Sequence, residues 1–574
     1  MVIKGNPVSP GVVFGRIYVY AKPSGAKPNH EYFEPGSETI QRAAFDAALA
    51  AALAELDNIV ERMIGAGEPD KAKIFEAHKE LLTDEELLEN IATNIEVGRK
   101  VPEYAVDAAF TEFIELLGGV EDPIIASRAI DLRDVRDRLF RILRNEAEVN
   151  LSRLDEPVII AAYDLLPSDT ATLDKDNVLG IITETGGATS HTAIIANAYG
   201  IPAVLGIGAG GGAFGALKNG MYVGMDAIAG EIFIEPDPEQ TSLLVERAKL
   251  ASDIDAEARK YLAQPAVSKD GVAFDIGINV GSDEWLPAYA HCDFVGLFRT
   301  EFLYMGADRI PSEEEQYAAY RRVLENAAGK PVTLRTLDIG GDKTLDYMDL
   351  PREDNPFLGN RALRLCFDMP DLFCDQLRAT LRAAVHGEMW IMLPMVSGIE
   401  DIRRAKKIYD DAKVELDKKK IARGEPKFGI MIEVPAIANI ADLVAREVDF
   451  ASIGTNDLCQ YMCAADRMNS AVAAYYRGFS PAMIRILGDV ADAFDNAGKP
   501  VSVCGEMAGD DVGAVVLAGL GYRKLSMSAG RVARIKSVLS NITVKDAQAA
   551  ASAAKNAYTE AEIIEIIKQK FLIS

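Results

Sequence analysis

Short apolar runs alternate with amphipathic stretches through the second half of the chain, and this alternation limits the possible folds more than any other feature. From residue 271 onward there are eight such runs, and a stretch with helical periodicity separates each from the next. Eight strands that alternate with helices are typical of a (β/α)8 barrel. The predicted strands are Phe274–Val280, Phe294–Phe298, Val332–Leu337, Trp390–Met395, Gly429–Glu433, Phe450–Gly454, Val501–Gly505 and Lys524–Ser526.

The first 234 residues have a mixed pattern that predicts a β-rich domain. Val and Tyr recur over residues 12–20, which we interpret as a short hairpin or strand pair. Further strand-like runs are 157–161, 178–183, 203–205 and 222–225. We expect these runs to pair with the N-terminal segment in one sheet.

A helical region interrupts this β-rich domain. Apolar residues recur at helical spacing in four stretches, which short glycine-containing connections separate. These stretches are 40–64, 72–97, 102–117 and 125–148. The sequence therefore predicts a multidomain α/β protein. Its parts are a β-rich domain of residues 1–25 and 149–234, an inserted four-helix bundle at 31–148, a linker helix at 235–262 and the barrel at 263–574.

The charge of the chain is strongly negative and unevenly distributed. The formal net charge is −26, and residues 31–148 alone hold 27 acidic and 13 basic side chains, a local net of −14. Such a charge argues against nucleic acid or an anionic membrane as the main partner. Two interpretations stay open for the helical insert: a solvated helical surface, or a docking face for a basic protein.

Other features of the sequence bear on where the chain works. It has no uninterrupted apolar run of about 18 residues, and its start lacks the pattern of a signal peptide. The six cysteines are scattered, and none forms a C-x-x-C pair. We therefore expect a reduced, cytoplasmic setting.

Reactive side chains follow five of the eight predicted barrel strands, at the ends that form the active face of such barrels. Three arginines and two carboxylates stand out among them: Arg299, Arg335, Arg467, Glu433 and Asp457. Guanidinium groups match the geometry of phosphate and carboxylate, and Mg²⁺ commonly takes one or two protein carboxylates. This set predicts a site for an anionic substrate that reacts with the help of a metal ion.

Cys504 lies at the end of the seventh predicted strand, in Val503-Cys504-Gly505-Glu506. A free thiol has a pKa of about 8.5, so near neutral pH it can donate a proton. A small apolar residue that packs in the barrel would suit the same position. The sequence alone leaves both interpretations open.

The second candidate site is the segment Gly186-Gly187-Ala188-Thr189-Ser190-His191-Thr192, which follows a predicted strand and opens an apolar helix. Glycines ahead of a helix let backbone N–H groups face an anion. A histidine has a reference pKa of about 6.5, so it is largely neutral in the cytoplasm and can act as a nucleophile. The alternative is a Ser-His pair that only finishes the helix start, and we favour the nucleophile.

On these residues the chain resembles enzyme I of the phosphoenolpyruvate-dependent sugar phosphotransferase system, essentially from end to end. Five motifs besides the His191 segment carry the resemblance, in the same order. They are Phe298-Arg299-Thr300-Glu301-Phe302-Leu303-Tyr304, Arg335-Thr336-Leu337-Asp338-Ile339-Gly340-Gly341-Asp342-Lys343, Asn355-Pro356-Phe357-Leu358-Gly359, Ile453-Gly454-Thr455-Asn456-Asp457-Leu458 and Cys504-Gly505-Glu506-Met507-Ala508-Gly509. Ala188 and Asn360 stand where that family often has arginine and tryptophan, and neither change removes a group that the chemistry requires.

The resemblance implies a swivelling phosphohistidine domain and a barrel that binds phosphoenolpyruvate. His191 would accept the phosphoryl group with Thr170 as its hydrogen-bond partner, and Cys504 would protonate the enolate as pyruvate forms. Glu433 and Asp457 would hold Mg²⁺. Substrate binding is implied for Arg299, Arg335, Arg361, Asn456, Asp457 and Arg467.

The same resemblance implies partners. The helical insert would dock the histidine phosphocarrier protein (HPr), which receives the phosphoryl group from His191 in the first step of sugar uptake. The barrel would form a homodimer.

Two other classes of protein compete with this interpretation. Dikinases and phosphoenolpyruvate synthases share the histidine and the barrel but need a nucleotide-binding half, and no P-loop string occurs in these 574 residues. A non-catalytic signalling protein that kept the fold would be expected to lose the histidine, an arginine or a metal carboxylate. None of these is lost, so we expect an active enzyme.

Overall fold

A computed structural model gives the architecture. The residues that it describes are 1–20, 28–65, 69–118, 123–144, 151, 154, 156–165, 169–170, 173, 177–186, 191–210, 213–283, 285–305, 307, 309–340, 345, 347–348, 350–351, 353–467 and 469–571. They divide into two compact units, residues 1–252 and 253–574. No helix among the described residues is long and apolar enough to cross a membrane.

An eight-stranded sheet organises the first unit, in the spatial order β1-β8-β7-β3-β4-β5-β6-β2. The strands are β1 (Val2–Lys4), β2 (Asn6–Ser9), β3 (Val12–Tyr20), β4 (Val158–Ala162), β5 (Val178–Thr183), β6 (Ala203–Leu205), β7 (Tyr222–Asp226) and β8 (Glu231–Ile234). The four strands from β3 to β6 run parallel, and the outer pairs are antiparallel. The expected pairing of the N-terminal segment with the later strands is confirmed.

The central strand β4 explains why this sheet is visible in the sequence. All five of its residues are buried, and alternate side chains enter two different cores, Ile160 on one side and Ile159 on the other. A strand covered on both faces requires a continuous apolar run. The predicted hairpin at 12–20 is wrong, because β3 is one unbroken strand that pairs with β4 and β7 at once.

Among the described residues between β3 and β4 there are five helices, where four were predicted. They are α1 (Glu38–Gly65), α2 (Pro69–Leu82), α3 (Glu85–Glu96), α4 (Pro102–Gly118) and α5 (Pro123–Leu143). The stretch 72–97 splits because Asp84 accepts a hydrogen bond from the Leu87 N–H at 2.9 Å and so starts a new helix. These helices share a hydrophobic core of their own, around Phe45, Phe75 and Phe110. The predicted limits of the insert within the first unit stay a prediction.

Two more helices can be given bounds among the described residues that precede the barrel. Helix α6 (His191–Tyr199) follows β5, and helix α7 (Pro238–Arg259) follows β8. The second corresponds to the predicted linker helix at 235–262.

The second unit contains a closed barrel of eight parallel strands, as predicted. Its strands are β10 (Ala273–Val280), β11 (Phe294–Arg299), β12 (Val332–Arg335), β13 (Met389–Leu393), β14 (Lys427–Ile432), β15 (Phe450–Ile453), β16 (Val501–Val503) and β17 (Lys524–Met527). The barrel closes because β10 pairs with both β11 and β17. A short strand, β9 (Ala266–Val267), joins β10 in antiparallel fashion.

Helices surround the barrel and complete its alternating pattern. They are α8 (Glu301–Met305), α9 (Glu313–Ala327), α10 (Leu363–Asp368), α11 (Pro370–Ala383), α12 (Ile399–Lys418), α13 (Pro435–Ala438), α14 (Ala441–Glu447), α15 (Thr455–Cys463), α16 (Pro481–Asn496), α17 (Asp511–Leu520), α18 (Val532–Ser540), α19 (Val544–Lys555) and α20 (Glu560–Phe571). After β10 a 3-10 turn, Pro287–Ala290, takes the place of a helix. Sequence caps set the helix limits: Ser312 and Glu315 form a capping box that starts α9.

Candidate active site

The barrel brings the predicted charged residues to one face. Arg299 and Arg335 are the last residues of β11 and β12. Glu433 directly follows β14, and Cys504 directly follows β16. Asp457 lies in the first turn of α15, just after β15. Because the carboxyl ends of parallel strands share one edge, these side chains form a mouth at that end of the barrel.

Arg335 is a buried cation of this mouth. Its Nη2 lies 2.8 Å from Glu301 Oε1, and its Nη1 lies 2.8 Å from Asp338 Oδ2. Burial alone would lower its pKa, but Asp338 and Glu301 outweigh that effect and raise it. Arg335 therefore stays charged and is held rigidly by two carboxylates.

Arg361 extends the same network. Its Nη2 lies 2.8 Å from Asp338 Oδ1 and 3.8 Å from Asp457 Oδ2. Asp338 thus bridges two arginines that are far apart in sequence. The backbone at Gly340 packs closely against Arg361, since a Cβ on Gly340 would lie 2.8 Å from the Arg361 Cα and the φ angle of Gly340 is +100°.

Glu433 and Asp457 form an acidic pair beside these arginines. The Met395 N–H donates to Glu433 Oε1 at 2.7 Å. Burial, together with the charges of Asp457 and Asp338, raises the pKa of Glu433 to about 8. The nearby positive charge of Arg335 therefore does not offset the burial of Glu433 and the negative charge of its acidic neighbours.

These two carboxylates fit a divalent cation. Asp457 Oδ1 is buried without a hydrogen-bond partner among the described residues, and Arg467 Nη2 lies 3.5 Å from it. Oxygen ligands and a local excess of negative charge suit Mg²⁺. No set of three or more His, Cys, Asp or Glu side chains clusters in metal-binding geometry within the described residues. Where Mg²⁺ has one or two protein carboxylates, substrate oxygens and water commonly complete its coordination.

Buried polar atoms without hydrogen bonds concentrate at this mouth. Over the described part of the chain, nine buried side-chain nitrogen or oxygen atoms lack a partner, and six of them lie here. The six are Glu301 Oε2, Arg335 Nε, Thr336 Oγ1, Arg361 Nε, Thr455 Oγ1 and Asp457 Oδ1. Such atoms cost stability unless something binds them, so they mark the mouth as a ligand site.

Arg299, Arg467 and Asn456 occupy more open positions. Arg299 reaches solvent, yet the surrounding protein and the like charge of Arg335 lower its pKa. The Arg467 N–H donates to Gln460 Oε1 at 3.1 Å, which fixes the start of its loop. Asn456 Oδ1 accepts from the Glu506 N–H at 2.9 Å. These side chains can therefore meet a ligand that enters from solvent.

Cys504 lies in a position that suits both interpretations from the sequence, and its role as a proton donor stays a prediction. It is 4% exposed and packs in a small apolar cluster with Leu297, Met431 and Phe450. Burial raises the pKa of its thiol to about 11, although the side chain of Ser452 and the charge of Arg335 oppose the rise. The thiol is thus protonated at neutral pH, next to the charged mouth.

The second candidate site lies in the first unit. His191 is the first residue of α6, and the adjacent Thr192 donates from Oγ1 to Asp164 Oδ1 at 3.2 Å. Thr170 is buried in the same unit. Residues 187–190 and the His191 side chain lie outside the described part, so the contact between Thr170 and His191 stays a prediction.

Sequence reasoning missed the residues that fix the arginines. Glu301 and Asp338 were visible within two of the motifs but were given no role. The available signal was an acidic residue two or three positions after an arginine at a strand end. Tyr461, whose hydroxyl accepts from Arg361 Nη1 at 3.4 Å, carried no such signal.

Three family models match the chain. The PEP-utilising enzyme, PEP-binding domain model matches residues 255–544, which include all eight barrel strands. The PEP-utilising enzyme, N-terminal model matches residues 4–128. The PEP-utilising enzyme, mobile domain model matches residues 154–230, which include His191.

Curated relatives named phosphoenolpyruvate-protein phosphotransferase match over their full length. The protein of Bacillus sp. (strain S) is 39% identical over 100% of this chain and 98% of its own length. That of Bacillus subtilis (strain 168) is 39% identical over 99% of both chains. That of Listeria innocua serovar 6a is 40% identical, again over 99% of both chains.

Proposed function

The chain belongs to the phosphoenolpyruvate-protein phosphotransferase family, and from this premise we propose which of its residues perform each step. It is an enzyme that takes a phosphoryl group from phosphoenolpyruvate and passes it through a histidine domain of the phosphotransferase system. We infer that His191 is the accepting histidine and that the barrel mouth holds the donor.

The cluster of unsatisfied polar atoms at the mouth is the observation that carries this proposal. Phosphoenolpyruvate has a phosphate and a carboxylate, and guanidinium groups bind both with forked hydrogen bonds. We propose that Arg299 and Arg467, the more exposed cations, bind the incoming anion together with Asn456 and Asp457. Arg335 and Arg361 supply fixed positive charge behind them.

Enzymes of this family use a divalent metal ion, and we propose that it is Mg²⁺ held by Glu433 and Asp457. When bound, Mg²⁺ supplies positive charge that stabilises phosphate oxygens during transfer. The protein's part is to keep both carboxylates fixed, which the Met395 N–H does for Glu433.

The chemical step follows from the groups in place. A neutral ring nitrogen of His191, Nε2, attacks phosphorus while the bond from phosphorus to the enolate oxygen breaks. The arginines neutralise the charge that spreads over the phosphoryl oxygens. Cys504 then gives its proton to the methylene carbon of the enolate, so that pyruvate leaves and a thiolate remains. Thr170 is proposed to hydrogen-bond His191 and set its tautomer.

The second half-reaction needs a protein partner. We propose that HPr docks on the acidic helical insert and accepts the phosphoryl group from His191, as the first step of sugar uptake. The local net charge of −14 over residues 31–148 supports a basic partner, because opposite fields speed encounter. We also propose that the barrel forms a homodimer and that the enzyme works in the cytoplasm, where six cysteines without disulfides are stable.

Incubation with labelled phosphoenolpyruvate and Mg²⁺ tests the proposal. We expect one acid-labile label per chain, its loss in His191→Ala, and its passage to added HPr. Asp466→Asn, an exposed change one residue before Arg467, is the matched control and should label normally. A wild-type chain that takes no label, or His191→Ala that keeps it, would contradict the proposal.

A further inference from the structure

A group of hydrogen-bonding side chains lines one side of the barrel interior. This polar seam consists of Asn279, Ser452, Ser502 and Ser526, which lie on β10, β15, β16 and β17, four consecutive strands of the closed sheet. Its three serines are at most 8% exposed. The other side of the interior is apolar, so Cys504 lies where the two sides meet.

One branch of the polar seam anchors the backbone of Cys504. Ser526 Oγ donates to Asn279 Oδ1 at 2.5 Å, and Asn279 Nδ2 donates to the Cys504 carbonyl at 2.9 Å. The Cys504 N–H donates to the Ile453 carbonyl at 3.0 Å. The main chain at Cys504 is therefore held from both sides.

The other branch reaches the thiol itself. Ser502 Oγ donates to Ser452 Oγ at 2.9 Å, and the Cys504 thiol donates to the Ile453 carbonyl at 3.5 Å. A hydroxyl has a single proton, so Ser452, which accepts from Ser502, keeps its own proton free to donate. Ser452 directly precedes Ile453, whose carbonyl accepts from both the Cys504 N–H and its thiol. The Ser452 side chain also lowers the pKa of that thiol, as a donor near the sulfur would.

We propose that Ser452 is a positioning residue for Cys504, and that its hydroxyl, oriented by Ser502, stabilises the thiolate that forms when Cys504 gives up its proton. This inference rests on the proposed role of Cys504. In the step, the S–H bond breaks, a C–H bond forms at the methylene carbon, and the electron pair stays on sulfur. The thiolate regains a proton from solvent after pyruvate leaves.

The need for such a donor follows from burial. A thiolate at a site that is 4% exposed has lost most of its hydration, and an unpaired buried charge is unfavourable. Arg299 and Arg335 act on it through space only. A hydrogen bond to a charged acceptor is stronger than one between neutral groups, so a single hydroxyl has a measurable effect.

Alkylation of Cys504 by iodoacetamide at mildly alkaline pH tests the contact without any turnover. Peptide mass spectrometry follows this one cysteine among the six. We expect Ser452→Ala to slow alkylation about tenfold, because the thiolate loses a donor. Ser452→Thr, which keeps the hydroxyl, should restore the rate. Ser526→Ala, which changes only the branch that anchors the backbone, is the matched control. It should leave the alkylation rate of Cys504 near the wild-type value.

Pyruvate release supplies the second readout. We expect Ser452→Ala to lower kcat about 10- to 100-fold with little change in KM for phosphoenolpyruvate, and Ser502→Ala to have a smaller effect in the same direction. Alkylation of Ser452→Ala at the wild-type rate, in a variant with unchanged Tm, would overturn the inference. Normal turnover in Cys504→Ala would instead overturn the proposed role of Cys504, and the alkylation result would still stand.

Discussion

The barrel mouth and the helical insert both concentrate acidic side chains, but in opposite physical states. Glu301, Asp338, Glu433 and Asp457 at the mouth are at most 6% exposed. In the insert, Asp46 and Glu96 are each more than half exposed, although both lie near Arg42. Buried charges must be paired or bound and therefore acquire fixed positions, whereas exposed ones act mainly through their summed field.

This difference indicates how each region works. The mouth holds its arginines and carboxylates in place before the substrate arrives, so its selectivity comes from geometry. In the docking role proposed above, the insert would need no fixed pair, because a negative field attracts a basic partner from a distance. Substitutions at the mouth and in the insert should therefore differ in the size of their effect, in its salt dependence and in whether they change catalysis and stability or the KM for a partner.

The largest effect should come from Arg335→Met. It removes the buried ion-pair partner of Glu301 and one of the two arginines that pair with Asp338. We expect phosphorylation by phosphoenolpyruvate to fall at least about a thousandfold and the free energy of unfolding to drop by about 3 kcal/mol. Labelling assays and chemical denaturation measure both. Arg309→Met, which breaks an exposed pair with Glu315, is the control and should change neither by much.

Glu433→Gln should separate activity from stability. The folded pKa of Glu433 is raised above its ordinary value of 4.5, so the unfolded chain releases this proton at lower pH than the folded chain. Stability of the metal-free protein therefore falls as pH rises between about 4.5 and about 8, and the amide removes that loss. We expect the variant to be inactive, and its Tm in EDTA near pH 8 to exceed that of the wild type.

The pH dependence is the decisive part of that experiment. The Tm advantage of Glu433→Gln should shrink toward about pH 5, and Mg²⁺ should raise the Tm of the wild type alone. Equal Tm values at all pH values, or a variant that still responds to Mg²⁺, would argue against the acidic pair as a metal site.

Lys536→Met tests whether the loss of a buried charge outside the active site lowers stability without lowering activity. Lys536 is 3% exposed, and its Nζ donates to the carbonyls of Leu262 at 3.0 Å and His291 at 2.7 Å. Its loss leaves two carbonyls without that donor, so we expect a destabilisation of about 2 kcal/mol. Activity at low temperature should be normal. A large loss of kcat with unchanged Tm would contradict the comparison, because it would show that a buried charge outside the mouth serves catalysis.

The smallest effect should come from reversing charge on the insert. The double change Asp46→Lys and Glu96→Lys weakens the field of the helical surface without touching a buried group. We expect KM for HPr to rise about tenfold at low salt, and the difference to fade near about 0.5 M salt. Labelling of His191 should be unchanged. A salt-independent rise would mean that these residues make fixed contacts instead.

The barrel could be predicted because its physics is local and repetitive. A strand such as β13, in which all five residues are buried, must be apolar throughout, and its neighbours obey the same rule. The break between α2 and α3 escaped prediction because Thr83 and Asp84 are ordinary helix residues as well as turn residues. Only the hydrogen bond from Leu87 to Asp84 decides between the two.

The candidate site also has a part that the sequence could predict and a part that it could not. Strand ends could place Arg299, Arg335 and Glu433 on one face, because topology alone fixes that edge. The pairing of Arg335 and Arg361 through Asp338 depends on the path of the intervening loop, which no local pattern determines. The position of Ser452 near Cys504 likewise depends on the register between β15 and β16.

The insert lies in the crossover between β3 and β4, which are adjacent parallel strands with Arg16 opposite Val158. A parallel crossover needs only about a dozen residues, and a sheet sets no upper limit on what the connection carries. Selection could therefore lengthen or replace this connection without disturbing the register of the sheet. With the carrier docked on the insert as proposed, its recognition and the chemistry of transfer are free to evolve separately, and chimaeras that exchange the crossover should change carrier specificity.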